Sequence, residues 1–358
     1  MKVKRVLVAM SGGVDSSVAA AILKEQGYEV IGATMKIWPK ETCGMHGERS
    51  CCSLDDIEDA RKVCNNLGVK HYVLNFEKIF REEVIDYFAK TYMKGRTPNP
   101  CIICNEKIKF GGLLKKAREL DCDFISTGHY VRIENNGAFR LKESADKSKD
   151  QSYVLFSLKQ GQLKKAIFPV GDLKKNEVRK MAEELGFEVF DKKDSQEICF
   201  VTDNKYSDFI KEYCGVESKD GDIVDSDGRV LGRHKGYWNY TIGQRRGLGV
   251  SAKEPLYVTE IIPESNLIRV GEFSNIKRKK FIVKDAILSH GLKDMPKDVE
   301  VKIRYTHKKA GATLRDIGDD KIEVEFSKPQ EAITPGQAAV FYDGEYVLGG
   351  GWIDEVLG

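Results

Sequence analysis

The sequence predicts a doubly wound α/β domain built on a parallel sheet, followed by two smaller β-rich domains, the last a β-barrel. Three observations carry that expectation. In the first third, strand-like apolar runs ("RVLVAM", "EVIGATM", "HYVLNF") alternate with helical patterns. A Gly/Ser-rich loop joins the first strand to the first helix. Beyond residue 206, Asp-Gly and Gly-rich turns ("DSDGRV", "DGEYVL") punctuate strands and helical periodicity almost vanishes. The chain has 358 residues, enough for two or three domains. The expected divisions are 1–205, 206–275 and 276–358, the last two parted at Asn275 and "IKRKK". With 41% hydrophobic and 32% charged residues, the chain is not one that stays wholly disordered. No apolar run reaches membrane length, and "MKVKR" leads into a strand without a signal-peptide pattern. A cytoplasmic protein with no membrane partner is expected.

Taken in order, "RVLVAM" reads as a buried parallel strand and "SSVAAAILKEQG" as a helix ending at Gly27. "EVIGATM" is the second strand, and "SLDDIEDARKVCNNLG" a helix opened by a Ser53/Asp56 capping pair. "HYVLNF" gives a third strand and "EKIFREEVIDYFAKTYMKG" a third helix. After a proline-bearing loop, "NEKIKFGGLLKKAREL" is helical from about Asn105, and "DFISTGHYV" forms one fourth strand. "VRIENNGAFRLKES" is a hairpin and "KNEVRKMAEELG" a helix. Sheets of this kind bind ligands at the carboxyl ends of their strands.

The loop "SGGVDSS" lies between strand one and helix one, where free N–H groups and the positive helix end suit a phosphate. Gly12 and Gly13 let the backbone curl closely, and Ser11, Ser16 and Ser17 offer hydroxyls. Neither the Walker pattern, with its lysine, nor G-x-G-x-x-G is present. A cradle without that lysine suits a pyrophosphate that leaves as a unit, so attack falls on the α-phosphorus and adenylation results. Asp15 is placed to hold a Mg²⁺ bridging those phosphates. The plainer alternative is a Gly/Ser turn with a helix cap.

Nine cysteines in a chain expected to be cytoplasmic argue against a disulfide framework. Cys64, Cys122 and Cys214 sit in apolar patterns and read as core. Cys104, in "GRTPNPCIICNEKIKF", is expected at a helix N-terminus beside Lys107, two features that favour a thiolate. Cys101 forms C-x-x-C with it, which also reads as a redox pair or half a zinc knuckle; "ERSCCS" is a poor second half. Cys199, in "DSQEICFV", is expected at a strand edge. Paired with Cys104 it suggests a sulfur relay, one thiol carrying a persulfide and the other displacing its sulfur as a disulfide forms. Cys43 to Cys52, "CGMHGERSCC", is an ordered loop, a metal site or a docking surface for the sulfur donor.

"SGGVDS" resembles the signature of the PP-loop ATPases, of the adenine nucleotide α-hydrolase-like fold, which split ATP into AMP and pyrophosphate. "AMSGGVDSSVAA", "GRTPNPCIICNEKIKF", "STGHY", "KDQSYVLFSL", "DSQEICFV", "TIGQRRGLG" and "TPGQAAVFYDGEYVLGGGWI" together resemble the tRNA-specific 2-thiouridylase family. These blocks run in order from residue 6 to the C-terminus. The resemblance implies adenylation of the wobble uridine and its thiolation. It implies ATP held by Ala9, Met10, Ser11, Gly12, Gly13, Val14, Asp15 and Ser16, with Met35 and Gly128 lining the adenosine. Cys104 becomes the nucleophile and Cys199 the persulfide carrier. Asn99, Pro100 and Cys101 border the flipped base, and His129, Lys149, Asp150, Gln151, Arg304, Tyr305 and Gln337 meet the tRNA. Some family members carry an aspartate where Cys101 stands, which opens a further reading: Cys101, Cys104 and Cys199 holding an Fe–S cluster.

Partners follow from the same reading: the anticodon arm of a tRNA and a persulfide donor or relay protein. An anticodon base is single-stranded and can be splayed out cheaply. Basic clusters near aromatics, at 232–236, 243–247, 276–280 and 303–309, suit RNA, though each alone is ordinarily solvated surface. Two other functions compete. An amide or amidine ligase of the PP-loop class would not need Cys104 and Cys199. A nucleotide-regulated RNA-binding protein would need neither thiol nor AMP release.

Overall fold

The computed structural model describes residues 3–37, 54–193, 198–201, 206–289 and 295–357. The Ser53 of the expected capping pair and the Cys43–Cys52 loop lie outside these residues. Two compact units divide the chain: 1–84, 101–204 and 345–347 form one, and 85–100, 205–344 and 348–358 the other.

The chain opens with β1 (Arg5–Ala9), α1 (Val14–Glu25), β2 (Glu29–Lys36), α2 (Leu54–Asn66) and β3 (Lys70–Asn75). There follow α3 (Glu77–Phe80), a π-helical stretch Arg81–Ile85 and α4 (Asp86–Met93). The next helix begins at α5 (Pro100–Ile103), widens into a π-helical stretch Cys104–Gly112 and ends as α6 (Leu113–Glu119). Then come β4 (Phe124–Ser126), β5 (Val131–Asn135), β6 (Phe139–Glu143), α7 (Gln160–Leu163), β7 (Ala166–Ile167) and α8 (Lys175–Glu184).

Within the first unit the parallel sheet has the order β3-β2-β1-β4-β7. β1 is buried between β2 and β4, with Val6 against both Val30 and Phe124, which explains its continuous apolar run. The order reverses between β1 and β4, so the loops leaving these strands open a crevice at their carboxyl ends. The core beneath it joins β1 to the small face of α1 (Val18, Ala19, Ala20, Leu23) and to Val178 and Ala182 of α8. "DFISTGHYV" is not one strand. β4 ends at Ser126, and after Thr127–Tyr130 the chain enters the antiparallel β5–β6 hairpin. Tyr346 pairs with Lys142 on its edge.

The second unit holds α9 (Tyr206–Cys214), a helix the turn-rich pattern had not led us to expect, packed on α4 through Phe209 and Phe88. β8 (Gly221–Val224), β9 (Val230–His234), β10 (Tyr257–Ile262) and β11 (Leu267–Gly271) form a small sheet in the order β10-β11-β8-β9. Finally β12 (Lys277–Leu288), β13 (Asp298–Lys302), β14 (Ala310–Gly318), β15 (Lys321–Glu331), β16 (Ala338–Asp343) and β17 (Tyr346–Leu357) run β12-β15-β14-β13-β16-β17 and close through β12–β17 into an antiparallel barrel. Its interior is filled by Phe281, Val301, Val324, Phe326 and Phe341. Among the described residues no helix is long and apolar enough to cross a membrane.

Candidate active site

The loop Met10–Gly13 leaves the end of β1 and feeds α1, whose first residue is Val14. Gly12 has φ +70°, and a Cβ there would stand 2.4 Å from the carbonyl oxygen of Asp56, so only glycine fits. Ser16 and Ser17 donate through Oγ to the Gly13 carbonyl at 3.1 and 2.9 Å. Ser11 N–H donates to Ser16 Oγ at 3.2 Å. These bonds draw the carbonyl oxygen of Gly13 away and leave the N-terminal N–H groups of α1 as the loop's outward polar surface. Gly128, leaving β4, closes the other side. A Cβ on it would lie 2.6 Å from both the Asp15 carbonyl carbon and the Ser16 nitrogen. Met35, half-buried on β2 opposite Leu74, completes the strand ends expected to meet a nucleotide.

A lysine from elsewhere in the fold meets the loop's aspartate. Lys175, the first residue of α8, donates to both carboxylate oxygens of Asp15 at 2.7 and 2.8 Å. Tyr130 Oη donates to Asp15 Oδ1 at 2.7 Å. The packing of α8 on α1 brings together these two residues, 160 positions apart in the chain. Lys192 donates to the Gly12 carbonyl at 3.1 Å and to Asp56 and Asp59 at 2.7 Å each. Lys175 and Lys192 belong to no motif, and helix packing and chain return alone bring them here; Tyr130 closes the "STGHY" block, though no role was expected of it.

Asp15, expected to hold Mg²⁺, has both carboxylate oxygens hydrogen-bonded here, to Lys175 and, at Oδ1, to Tyr130. Among the described residues no group of three or more His, Cys, Asp or Glu side chains could hold a metal ion. The Fe–S reading of Cys101, Cys104 and Cys199 finds no support there.

Cys104 is not at a helix N-terminus. Pro100 begins the helix, as proline favours at a first helical position, so Cys104 lies beyond the first turn, where the π-helical stretch opens. Lys107 pairs with Glu106 at 2.8 Å, a carboxylate that competes with any thiolate for the ammonium. Cys101 is exposed, while Cys104 and Cys199 are half-buried, all three outside disulfides. Cys199 lies in a turn closed by Val201 N–H on the Ile198 carbonyl at 2.9 Å, rather than on a strand edge. Its neighbour Phe200 packs edge-on against Phe80, and α3, which carries Phe80, packs on the π-helical stretch that begins with Cys104. Cys64, as expected, is core; burial pushes its thiol up to about 11.

The residues expected on tRNA fall into two groups. His129 is only 7% exposed; burial, reinforced by Lys109, holds its imidazole well below the ordinary histidine value. The neutral ring lies 3.4 Å from Lys109 Nζ and 2.7 Å from Thr127 Oγ1. Asp150 accepts from the Ser144 and Ser152 backbones and from Ser152 Oγ, bonds that hold its buried carboxylate. Gln151 Oε1 accepts from Tyr130 N–H at 2.9 Å and so fixes the tyrosine that meets Asp15. Gln337 Nε2 donates to the carbonyls of Thr97 and Pro98 at 3.1 and 3.0 Å, holding the approach to Asn99 and Pro100. Lys149 and Arg304 are partly exposed, and Tyr305 is open with Lys302 Nζ 5.8 Å from its ring centre. Arg304 and Tyr305 belong to the turn after β13.

Comparison with known proteins bears on the whole chain. Residues 4–203 match the family model described as tRNA methyl transferase HUP domain. Residues 207–272 match the tRNA methyl transferase PRC-barrel domain, and 278–353 the aminomethyltransferase beta-barrel domain. The tRNA-specific 2-thiouridylase MnmA of Clostridium acetobutylicum is 49% identical, covering 98% of this chain and 99% of its own. That of Clostridioides difficile is 47% identical, covering 99% of each chain. The tRNA-specific 2-thiouridylase MnmA 2 of Caldanaerobacter subterraneus subsp. tengcongensis is 51% identical over 99% of this chain and 98% of its own. Identity near one-half, held from end to end across all three domain types, leaves a single conclusion: the chain belongs to the tRNA-specific 2-thiouridylase family.

Proposed function

We propose that the protein is an ATP-dependent tRNA-uridine 2-sulfurtransferase acting on the wobble uridine. The uridine C2 oxygen attacks the α-phosphorus of ATP, and pyrophosphate leaves as a unit. The outer sulfur of a Cys199 persulfide attacks C2, and AMP departs. Cys104 thiolate then takes the inner Cys199 sulfur, breaking the persulfide bond. Sulfur stays on the base, and a Cys104–Cys199 disulfide remains for an external thiol to reduce.

The observation that carries this reading is the phosphate loop at the β1/β4 crevice, with Lys175 of α8 bonded to its Asp15, in a chain of this family. ATP, taken as its Mg²⁺ complex, would lie over Ala9–Ser16 with Met35 and Gly128 beside the adenosine. Asn99, Pro100 and Cys101 would border the base. Lys149, Arg304 and Tyr305 would meet the anticodon arm directly, while His129, Asp150, Gln151 and Gln337 would act by holding its contact segments. The domains run 1–205, 206–275 and 276–358, in keeping with the spans of the three family models. A tRNA substrate suits a cytoplasmic protein, with a persulfide donor protein as partner.

The test is in-vitro thiolation with purified tRNA, ATP and a persulfide donor. AMP, pyrophosphate and thiouridine should appear in equal amounts; ADP and phosphate as products would overturn the proposal. Mass spectrometry after one turnover without reductant should show the Cys104–Cys199 disulfide. Cys104→Ser should still load sulfur on Cys199 yet fail to complete the transfer, leaving the base bound to Cys199 through a disulfide, and Cys199→Ser should not load at that position.

A further inference from the structure

Asn105 directly follows the proposed nucleophile, and the sequence led us to expect no chemistry of it. It is only 2% exposed, within the π-helical stretch that Cys104 opens, while Cys104 itself is half-buried. Neighbouring side chains on a helix diverge by about a quarter of a turn, so holding Asn105 inward fixes the direction of Cys104. The π-helix is a rare form, and nine residues of it call for ties from outside. Two amide side chains supply them. At the start, Asn105 Nδ2 donates to the Val154 carbonyl at 3.0 Å. At the end, Gln162 Nε2 donates to the Phe110 carbonyl at 2.9 Å, its own Oε1 held by the Lys159 N–H at 2.9 Å.

From Val154 an unbroken series of hydrogen bonds leads to the phosphate loop. Val154 belongs to the 3₁₀ turn Ser152–Leu155, and its N–H donates to the Gln151 carbonyl at 3.1 Å. Gln151 and Tyr130 are joined twice. Gln151 N–H donates to the Tyr130 carbonyl at 3.0 Å, and Tyr130 N–H donates to Gln151 Oε1 at 2.9 Å. Tyr130 Oη then donates to Asp15 Oδ1 at 2.7 Å. Every residue of the series lies in the first compact unit. Asn105 is a poor choice for packing alone. Its Oδ1 is buried with no hydrogen-bond partner among the described residues, which lowers stability. An apolar side chain of the same branched shape would fill the site without that penalty.

We infer that Asn105 is a positioning residue: it ties the turn bearing Cys104 to the Gln151–Tyr130 pair that holds Asp15, so that thiol and phosphate loop keep one fixed relation. The inference rests on the proposed roles of Cys104 and of the loop. The uridine adenylated at the loop must stay in place while sulfur is transferred and Cys104 completes the exchange. A Cys104 displaced by about 1 Å relative to the loop loses the approach that this last step needs.

The experiment follows Asn105→Leu in the full chain. Removing the unpartnered Oδ1 offsets the lost bond to Val154, so Tm should stay close to that of the unsubstituted protein. Buried Cys64 should then stay unlabelled by iodoacetamide. The alkylation rate of Cys104, read by peptide mass spectrometry against Cys214, should change by about threefold or more. In steady-state thiolation kcat should fall by about 100-fold with KM for ATP and for tRNA unchanged, a split that general loosening would not give. Gln151→Leu cuts the same series further along and should change the Cys104 rate in the same direction. The double variant should go no further than the larger single effect, because both residues act through one series. If Asn105→Leu does not fold, Gln151→Leu alone carries the alkylation test. An unchanged Cys104 rate, a change accompanied by Cys64 labelling, or single effects that simply add, overturns the inference. The alkylation arms need neither tRNA nor sulfur donor. A failure to thiolate would therefore count against the proposed function and leave the positioning role to be judged on these rates.

Discussion

Asp15 and Lys175 make the clearest case at the scale of single residues. A carboxylate whose two oxygens are held by one ammonium, with Tyr130 adding a third bond, is fixed in orientation before any nucleotide arrives. Lys175→Met, which releases the Asp15 carboxylate it holds, should lower turnover by about 100-fold or more, with little change in tRNA affinity. Steady-state AMP release and filter binding check the two halves. Gly128→Ala places a Cβ 2.6 Å from the loop backbone at Asp15 and Ser16. That overpacking should cost about 1–3 kcal/mol of stability in denaturant melts and weaken ATP binding in calorimetry. His129 gives a pH signature. Its folded-state value is held well below the ordinary 6.5 by burial and then by Lys109, so the unfolded chain takes up a proton that the native ring refuses. Stability is then lost as pH falls below about 6.5, and His129→Gln should show a smaller drop in Tm between pH 7 and 5 than the unsubstituted protein.

At the scale of elements, the helix bearing Cys101 and Cys104 shows how a sequence reading goes astray. "NEKIKF" marked a helix start near Asn105, because two prolines upstream implied an extended approach. Pro98 does lie in that approach, but Pro100 is the first helical residue, since a missing N–H costs nothing there. The shift moves Cys104 beyond the helix start and into the π-helical stretch, a feature with no sequence signature. The approach is held instead by Gln337 Nε2 on the Thr97 and Pro98 carbonyls. Gln337→Ala should cost about 1–3 kcal/mol for two hydrogen bonds and faster hydrogen exchange at residues 94–99, measured by exchange mass spectrometry. The fourth strand misled for a similar reason. "DFISTGHYV" is apolar enough to run through, but Gly128 must approach α1, and the chain leaves the parallel sheet at Ser126.

At the scale of the molecule, a doubly wound sheet supplies a phosphate cradle, and a separate unit supplies a closed barrel with basic and aromatic side chains at its turns. If the cations near Arg245, Arg278 and Arg304 meet phosphates, tRNA affinity should fall steeply with salt, and each arginine removed should flatten the log–log slope by about one. Tyr305→Ala should instead cost about 1–3 kcal/mol with little change in slope if a base stacks on its open ring. Binding isotherms from low to high salt check both.

What the sequence determined by itself was whatever local chemistry dictates. The strand–loop–helix order around Gly12 and Gly13 follows from apolar periodicity and backbone freedom. The turn-rich, alternating second half follows from Asp-Gly and Gly signals, and its barrel from strands too many for helices to cover. What only the tertiary structure decided were the meetings of residues far apart in the chain. The contact of Lys175 with Asp15 needs the packing of α8 on α1, and that of Lys192 with Gly12 needs the chain to return across α2. Spacing along a chain cannot encode such contacts, because they are fixed by how helices pack on a sheet and not by any local preference of the residues that make them.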